Sequence, residues 1–149
     1  MSLIRRSTAV IICLALLAVI LVLVLAILQA NRLDNTAQEL AIAATQEAFE
    51  TEYPTTLIEN SHPDYQAIIP PQELLRYIES AKRRLGPLKS IAAIRGSAEL
   101  SGGQAASSAE FELDLDFQNS PASVNIGMET VDERWLITAF RLSAELLRN

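Results

Sequence analysis

Cysteine occurs once in this chain, at Cys13, so no intrachain disulfide can form and any domain must hold together by packing alone. Histidine also occurs once, at His62. A single histidine beside a single cysteine leaves no ligand set with zinc spacing, and no serine or cysteine nucleophile context accompanies His62. No Asn-x-Ser/Thr sequon is present. Acidic residues are missing before Asp34, and glycine is missing before Gly86. Basic residues are scarce overall, 12 Lys and Arg against 18 Asp and Glu, for a net charge of -6. Affinity for a phosphate backbone needs clustered Lys and Arg, so nucleic acid is not an expected partner.

What the amino-terminal part does have is an apolar run. Ala9 to Leu28 reads AVIICLALLAVILVLVLAIL, without a charged, amide or hydroxyl side chain and without Gly or Pro. As a helix it would span roughly 30 Å, the thickness of a hydrocarbon core. A cleaved leader has a shorter apolar core, about 7–15 residues, and a small-x-small cleavage site. Here bulky Leu28 stands where a site after Ala30 would want a small residue. The run therefore reads as an uncleaved signal-anchor over residues 9–30, behind a short segment 1–8. Arg5 and Arg6 precede it and only Arg32 follows closely, which places the amino terminus in the cytoplasm and residues 31–149 outside it, periplasmic at an inner membrane. The expected surroundings are the lipid bilayer. Ala15/Ala18 and Ala26/Ala30 are small enough for close helix approach, so a homo-oligomer is one reading of the anchor.

Residues 31–149 suffice for one small domain with its own core. Asn31 to Tyr53 has Leu40, Ala41, Ala44, Ala48 and Phe49 at helical spacing, with Asp34, Asn35 or Thr36 as its cap; alternatively, since no Gly or Pro interrupts Gln29 to Asn35, it continues the apolar helix. Thr55 to Pro71 reads as a connection with one short helix, opened by a capping box of Ser61 and Asp64. Gln72 to Leu85 is amphipathic, with Glu73 at its start and Lys82, Arg83 and Arg84 in its last turn; Gly86-Pro87 stops it. The period then changes to two. Leu88–Leu100, Glu110–Gln118, Ser123–Glu129 and Trp135–Ser143 read as strands, joined by turns at 101–108, 119–122 and 132–134. The fold expectation is α+β: the transmembrane helix, then two main helices packed on a curved antiparallel sheet of about four strands.

Among candidate sites, Glu110, Glu112, Asp114 and Asp116 alternate with Phe111, Leu113, Leu115 and Phe117. Alternate strand residues lie about 6.5–7 Å apart, too far for two neighbours to chelate one ion, so the row reads as the solvated outer face of a sheet or a surface for a basic partner. His62 beside Pro63 reads as a helix cap or an exposed loop residue. Trp135, Tyr65 and Tyr77 read as packing residues or, alternatively, ligand contacts. Lys82-Arg83-Arg84 with Lys89 reads as helix-terminus charge or, alternatively, as a contact for acidic partners or lipid headgroups. Ser101-Gly102-Gly103-Gln104 lacks the strand-before, helix-after context of a phosphate loop.

The order of pieces, with Arg83-Arg84-Leu85-Gly86-Pro87-Leu88-Lys89-Ser90 after a helix and a closing Trp135-x-Ile137-x-x-Phe140-x-Leu142, resembles the cystatin-like, nuclear-transport-factor-two-like superfamily over Thr36–Ala144. The resemblance is to its small exported domains of unknown function, and it implies a curved sheet wrapping a long helix into a cone. Enzymatic members use a cavity lined by Asp, His or Tyr; here no histidine falls on a predicted helix or strand, so no catalytic residue carries over. Leu85-Gly86-Pro87 and the Gly/Ser/Ala-rich approach from Gly102 to Glu110 are also similar to membrane-tethered domains of the cytochrome oxidase assembly factor one and mitochondrial import subunit twenty-one type, over Gln72–Leu142. That resemblance implies a docking or chaperone role at a membrane complex. The expected function is a non-enzymatic, single-pass protein, accessory to an envelope complex through a protein partner, with no cofactor, metal or catalytic residue. The alternative is a small-ligand-binding or enzymatic domain using the cone's interior.

Overall fold

The computed structural model describes residues 2–99, 101 and 106–147, the side chains of 2–15, 29, 30, 33 and 146 excepted. In order come helices α1 (Ser2–Glu50), α2 (Thr55–Glu59), α3 (Pro63–Ile68) and α4 (Pro71–Leu85). Strands β1 (Leu88–Glu99), β2 (Ser108–Phe117), β3 (Pro121–Val131) and β4 (Arg134–Ser143) follow, then a 3-10 turn at Glu145–Leu147. The chain divides into two compact units, Met1–Leu33 and Asp34–Asn149, and α1 contributes to both.

In the first unit every described side chain from Leu16 to Leu28 is exposed, on all sides of the helix. Arg5, Arg6 and Ala9, expected to flank and begin the membrane span, have side chains outside the described residues, whereas Leu28, its expected end, is described and exposed. Among the described residues no helix is long and apolar enough to cross a membrane, so the expected transmembrane helix is not supported by them.

The second unit is α+β, with an open antiparallel sheet in the order β1-β2-β3-β4. The alternation in β2 sets its two sides. Phe111, Leu113, Leu115 and Phe117 are buried, and the cross-strand register extends their face into rows such as Ile94–Leu113–Val124–Leu142 and Gly96–Phe111–Ile126–Phe140. The buried face of α1 is Ala37, Ala41, Ala44, Thr45, Ala48 and Phe49, and the Phe49 ring meets Phe117 edge-on at 5.0 Å and lies 6.4 Å from Phe140. Leu57, Leu74, Ile78, Ala81 and Leu85 from α2 and α4 are buried too.

Several local expectations need correction. Asp34 does not cap a helix, because α1 already runs through it; its Oδ1 accepts the Ala98 amide hydrogen at 2.7 Å, on the outer edge of β1. The connection 55–70 holds two short helices, not one. Ser61 does not cap the second, since its hydroxyl donates to Leu57 O at 2.6 Å; His62 is the N-cap, its Nδ1 accepting from the Asp64 amide. The first of these helices follows Pro54, which offers no side-chain cap, and Glu47 takes that role from α1. Glu47 Oε1 and Oε2 accept from the Thr55 and Thr56 amides at 3.1 and 2.7 Å. The strand expected to reach Leu100 is described to Glu99, and 102–105 of the expected turn lie outside the described residues.

Both sheet edges are managed. On β4, Ile137 N donates to Asn60 O and Ile137 O accepts from His62 N at 2.6 and 2.8 Å, so the α2–α3 link pairs the edge for one bridge. Further along, the Tyr65 and Tyr77 hydroxyls donate to Phe140 O and Leu142 O. On β1 the register slips twice, between Leu88 and Ser90 and between Ile91 and Ala93; such bulges, with Lys89 and Arg95 on the strand, discourage pairing with a further strand. Gly96 sits at φ 124°, and a Cβ there would collide with the Glu110 carbonyl. Gly86, at φ 78°, ends α4, while Asn119 Nδ2 donates to Arg84 O and Asn119 N to Leu85 O, so the β2–β3 turn caps that helix end.

Two outcomes follow. Gly96→Ala lowers stability by about 2 kcal/mol or more in urea titrations, from backbone strain plus collision with β2. Glu47→Ala costs about 0.5–1 kcal/mol, the lower part of the capping range, because the carboxylate is only partly buried. The Thr56 hydrogen bonds, with those of Thr55, hold the Glu47 carboxyl below its ordinary value of 4.5. Its contribution is therefore present above that pH and fades as pH falls through the lowered folded value. The gap between wild type and Glu47→Gln should close over that acidic window.

Candidate functional site

The side of the sheet opposite the helices is covered by no other described element, and the register lays it out in rows. Arg95, Glu112, Asn125 and Arg141 stand across β1 to β4; the next row is Ser97, Glu110, Gly127 and Ala139; a third brings Glu99, Ser108, Glu129 and Leu136 together. Toward the other end lie Asp114 with Ala93, Ser123 and Ser143, and Asp116 with Ser90 and Pro121. The four predicted carboxylates thus share the outer face, all of them at least partly exposed.

They are not a uniform acidic strip. Arg95 forms a bidentate pair with Asp114, Nη1 to Oδ2 at 2.6 Å and Nη2 to Oδ1 at 2.9 Å, and Nη2 lies 3.4 Å from Glu112 Oε2. The hydrogen bond to Asp114, above all, holds the guanidinium above its usual range. Glu110 Oε1 accepts from Asn125 Nδ2 at 3.1 Å. Glu129 Oε1 is 3.1 Å from His62 Nε2, so the only histidine is pinned between its helix-capping role and β3. The carboxylates of β2 are marked by their alternation in the sequence, whereas nothing in the sequence singles out Arg95, Arg141 and Glu129. Arg95 becomes legible as a counter-charge only once the β1–β2 register is known, and the connection that sets that register has no turn signature specific enough to fix it.

Over the middle rows the face is concave. A groove of about 710 Å³ runs there, floored by Ser97, Gly127 and Ala139 and bounded by charged and amide side chains. A shallower one of about 430 Å³ lies at the Asp114–Asp116 end, beside Glu145. Among the described residues no three His, Cys, Asp or Glu side chains converge to hold a metal ion.

The other predicted contacts do not gather at this site or at a shared one. Trp135 is buried at the start of β4, its Nε1 without a hydrogen-bond partner, and packs rather than opening to solvent. Tyr65 is buried against β4, and Tyr77 lines a small groove with Ser80, Ala81 and Leu142. Burial raises the pKa of both phenols, Tyr65 and Tyr77, and the bonds to Phe140 O and Leu142 O oppose the shift. Each hydroxyl is committed to backbone, which leaves its polar end little to offer a ligand.

With this geometry in place, comparison outward returns nothing: no family model matches the chain, and neither a curated protein nor a solved structure is significantly similar to it.

The tyrosines give a direct test. Tyr77→Phe loses one hydrogen bond at the β4 edge and should cost about 0.5–1.5 kcal/mol by chemical denaturation. Tyr65→Phe, whose bond is longer at 3.4 Å, should cost less. A Tyr77→Phe protein as stable as wild type would show that the hydroxyl does not secure the edge.

Proposed function

We propose that the protein is a single-pass, membrane-anchored binding module whose α+β domain holds a protein partner beside the bilayer as an accessory or assembly component of an envelope complex. The observation that carries the reading is Leu16–Leu28, where every side chain is apolar and exposed all round the helix. Such a surface is costly in water and is relieved by hydrocarbon, and the sequence extends the same character back to Ala9. Arg5 and Arg6 orient the anchor with the amino terminus in the cytoplasm. A domain folded by packing alone does not need a membrane to fold, so the tether serves position.

Partner binding, and not chemistry on a small molecule, is favoured by where the concavity lies. The helix–sheet interface is filled by Phe111, Leu113, Leu115, Ile126 and Ile137, all essentially inaccessible, and the large groove is on the opposite, polar face. The cone-shaped cystatin-like fold suggested by the chain's order of elements is compatible with this division and is part of the proposal.

In a bacterial host, the chain should stay in the membrane pellet after carbonate extraction. Alkaline phosphatase fused after residue 149 should be active and green fluorescent protein fused there dark. Release by carbonate would reject the anchor, and the reversed pair of fusion signals would reject the orientation.

A further inference from the structure

We infer that the groove on the outer sheet face docks a cationic segment of the partner, an extended stretch bearing Lys or Arg. The inference rests on the partner-binding reading and names the chemistry of the partner. Three properties of the face carry it together. It is the one broad sheet surface that the described helices leave uncovered, since α1, α2 and α4 bury side chains on the core side. It is concave where the rows Ser97–Glu110–Gly127–Ala139 and Glu99–Ser108–Glu129–Leu136 cross it, with small floor residues that admit another chain's side chains. And its charge is one-sided where it is open. Arg95 is engaged by Asp114 and Glu112, and Glu129 faces His62, so Glu99 and Glu110 are the carboxylates that border the groove without a cationic partner among the described residues, against Arg141.

The lining also discriminates. Anionic lipid headgroups and nucleic acid meet like charge here, so neither is the occupant. A short apolar ligand finds a lining of mixed character with charged and amide groups around it, because the large buried side chains Phe111, Leu113, Val124 and Ile126 lie on the core side. An added strand is discouraged by the bulges of β1 and the covered edge of β4, which directs an extended segment onto the face and away from the edges. Complementary charge of this kind sets specificity and encounter rate more than raw affinity, so the contact should be salt-sensitive.

The test uses the full chain in neutral-lipid nanodiscs and fluorescent hexalysine as the probe. Wild type should bind it in low salt and release it at 0.5 M salt. Glu99→Lys/Glu110→Lys should weaken binding at least tenfold, as each exposed attraction becomes a repulsion. Asp116→Lys/Glu145→Lys makes the same change of net charge at the other groove and should weaken it less than threefold. Equal losses in both variants, or no binding by wild type, overturn the inference, the first by showing diffuse attraction to an acidic domain. Thermal melts confirm that each variant is folded. A dimer in sedimentation that dissociates in Glu99→Lys/Glu110→Lys alone would assign the groove to a second copy and likewise overturn it. Photo-crosslinking from Ser97 in membranes separates the two levels. A partner captured equally by wild type and the groove variant leaves the binding module standing without the cationic contact; capture of nothing removes both.

Discussion

Four side chains on one strand, Phe111, Leu113, Leu115 and Phe117, set the terms for everything in Asp34–Asn149. Burying each is worth roughly 1.5–3 kcal/mol, and with Cys13 the single cysteine no intrachain disulfide supplements them. A single sheet cannot hide its own apolar face, so helices must. The second half of α1 does this with alanines, whose small side chains let the helix axis come close, and with Phe49 as the one large side chain that reaches Phe117 and Phe140. The helices α2, α3 and α4 then fill in along the β4 side. The polar character of the opposite face follows from the same alternation, because period two leaves every second residue of β2 facing away from the helices.

How the helices are held explains residues that would otherwise look functional. Glu47, His62, Tyr65, Tyr77 and Asn119 are polar groups of the type that active sites use, yet each satisfies a backbone group that an element end or a strand edge leaves open. A hydrogen bond of this kind contributes about 1 kcal/mol, while an unmet buried donor or acceptor costs as much or more. The concentration of such bonds on β4 is a consequence of sheet order: β4 is an edge strand that abuts the helical layer, and its outward carbonyls must find partners there.

Much of this was legible in the chain. The strict alternation from Glu110 to Phe117 identified both faces of β2 before any coordinates, and Gly86-Pro87 marked the end of α4. The short helices were less legible because their caps come from elsewhere: Glu47 lies eight residues before the first helix amide it binds, and no local motif announces that. Asp34 looked like a helix cap because an Asp before an apolar stripe usually is one, but a helix already under way has no open amides at that point. On the outer face, Glu110 to Asp116 were visible as a row, whereas Arg95, Arg141 and Glu129 join them only through pairing register. Register is a property of two strands at once, and one strand's composition does not contain it.

The simple succession β1-β2-β3-β4 has a consequence for how the chain reaches its structure. Every strand pairs with its neighbour in sequence, so each hairpin can close as soon as its second arm has been synthesised, without waiting for a distant segment. The alanine face of α1 is made first but has no sheet to lie against until β2, with Phe117, has been made. Order of synthesis and order of consolidation therefore run in opposite senses: the helix emerges early as a weakly held rod, and the late-made sheet is what fixes it.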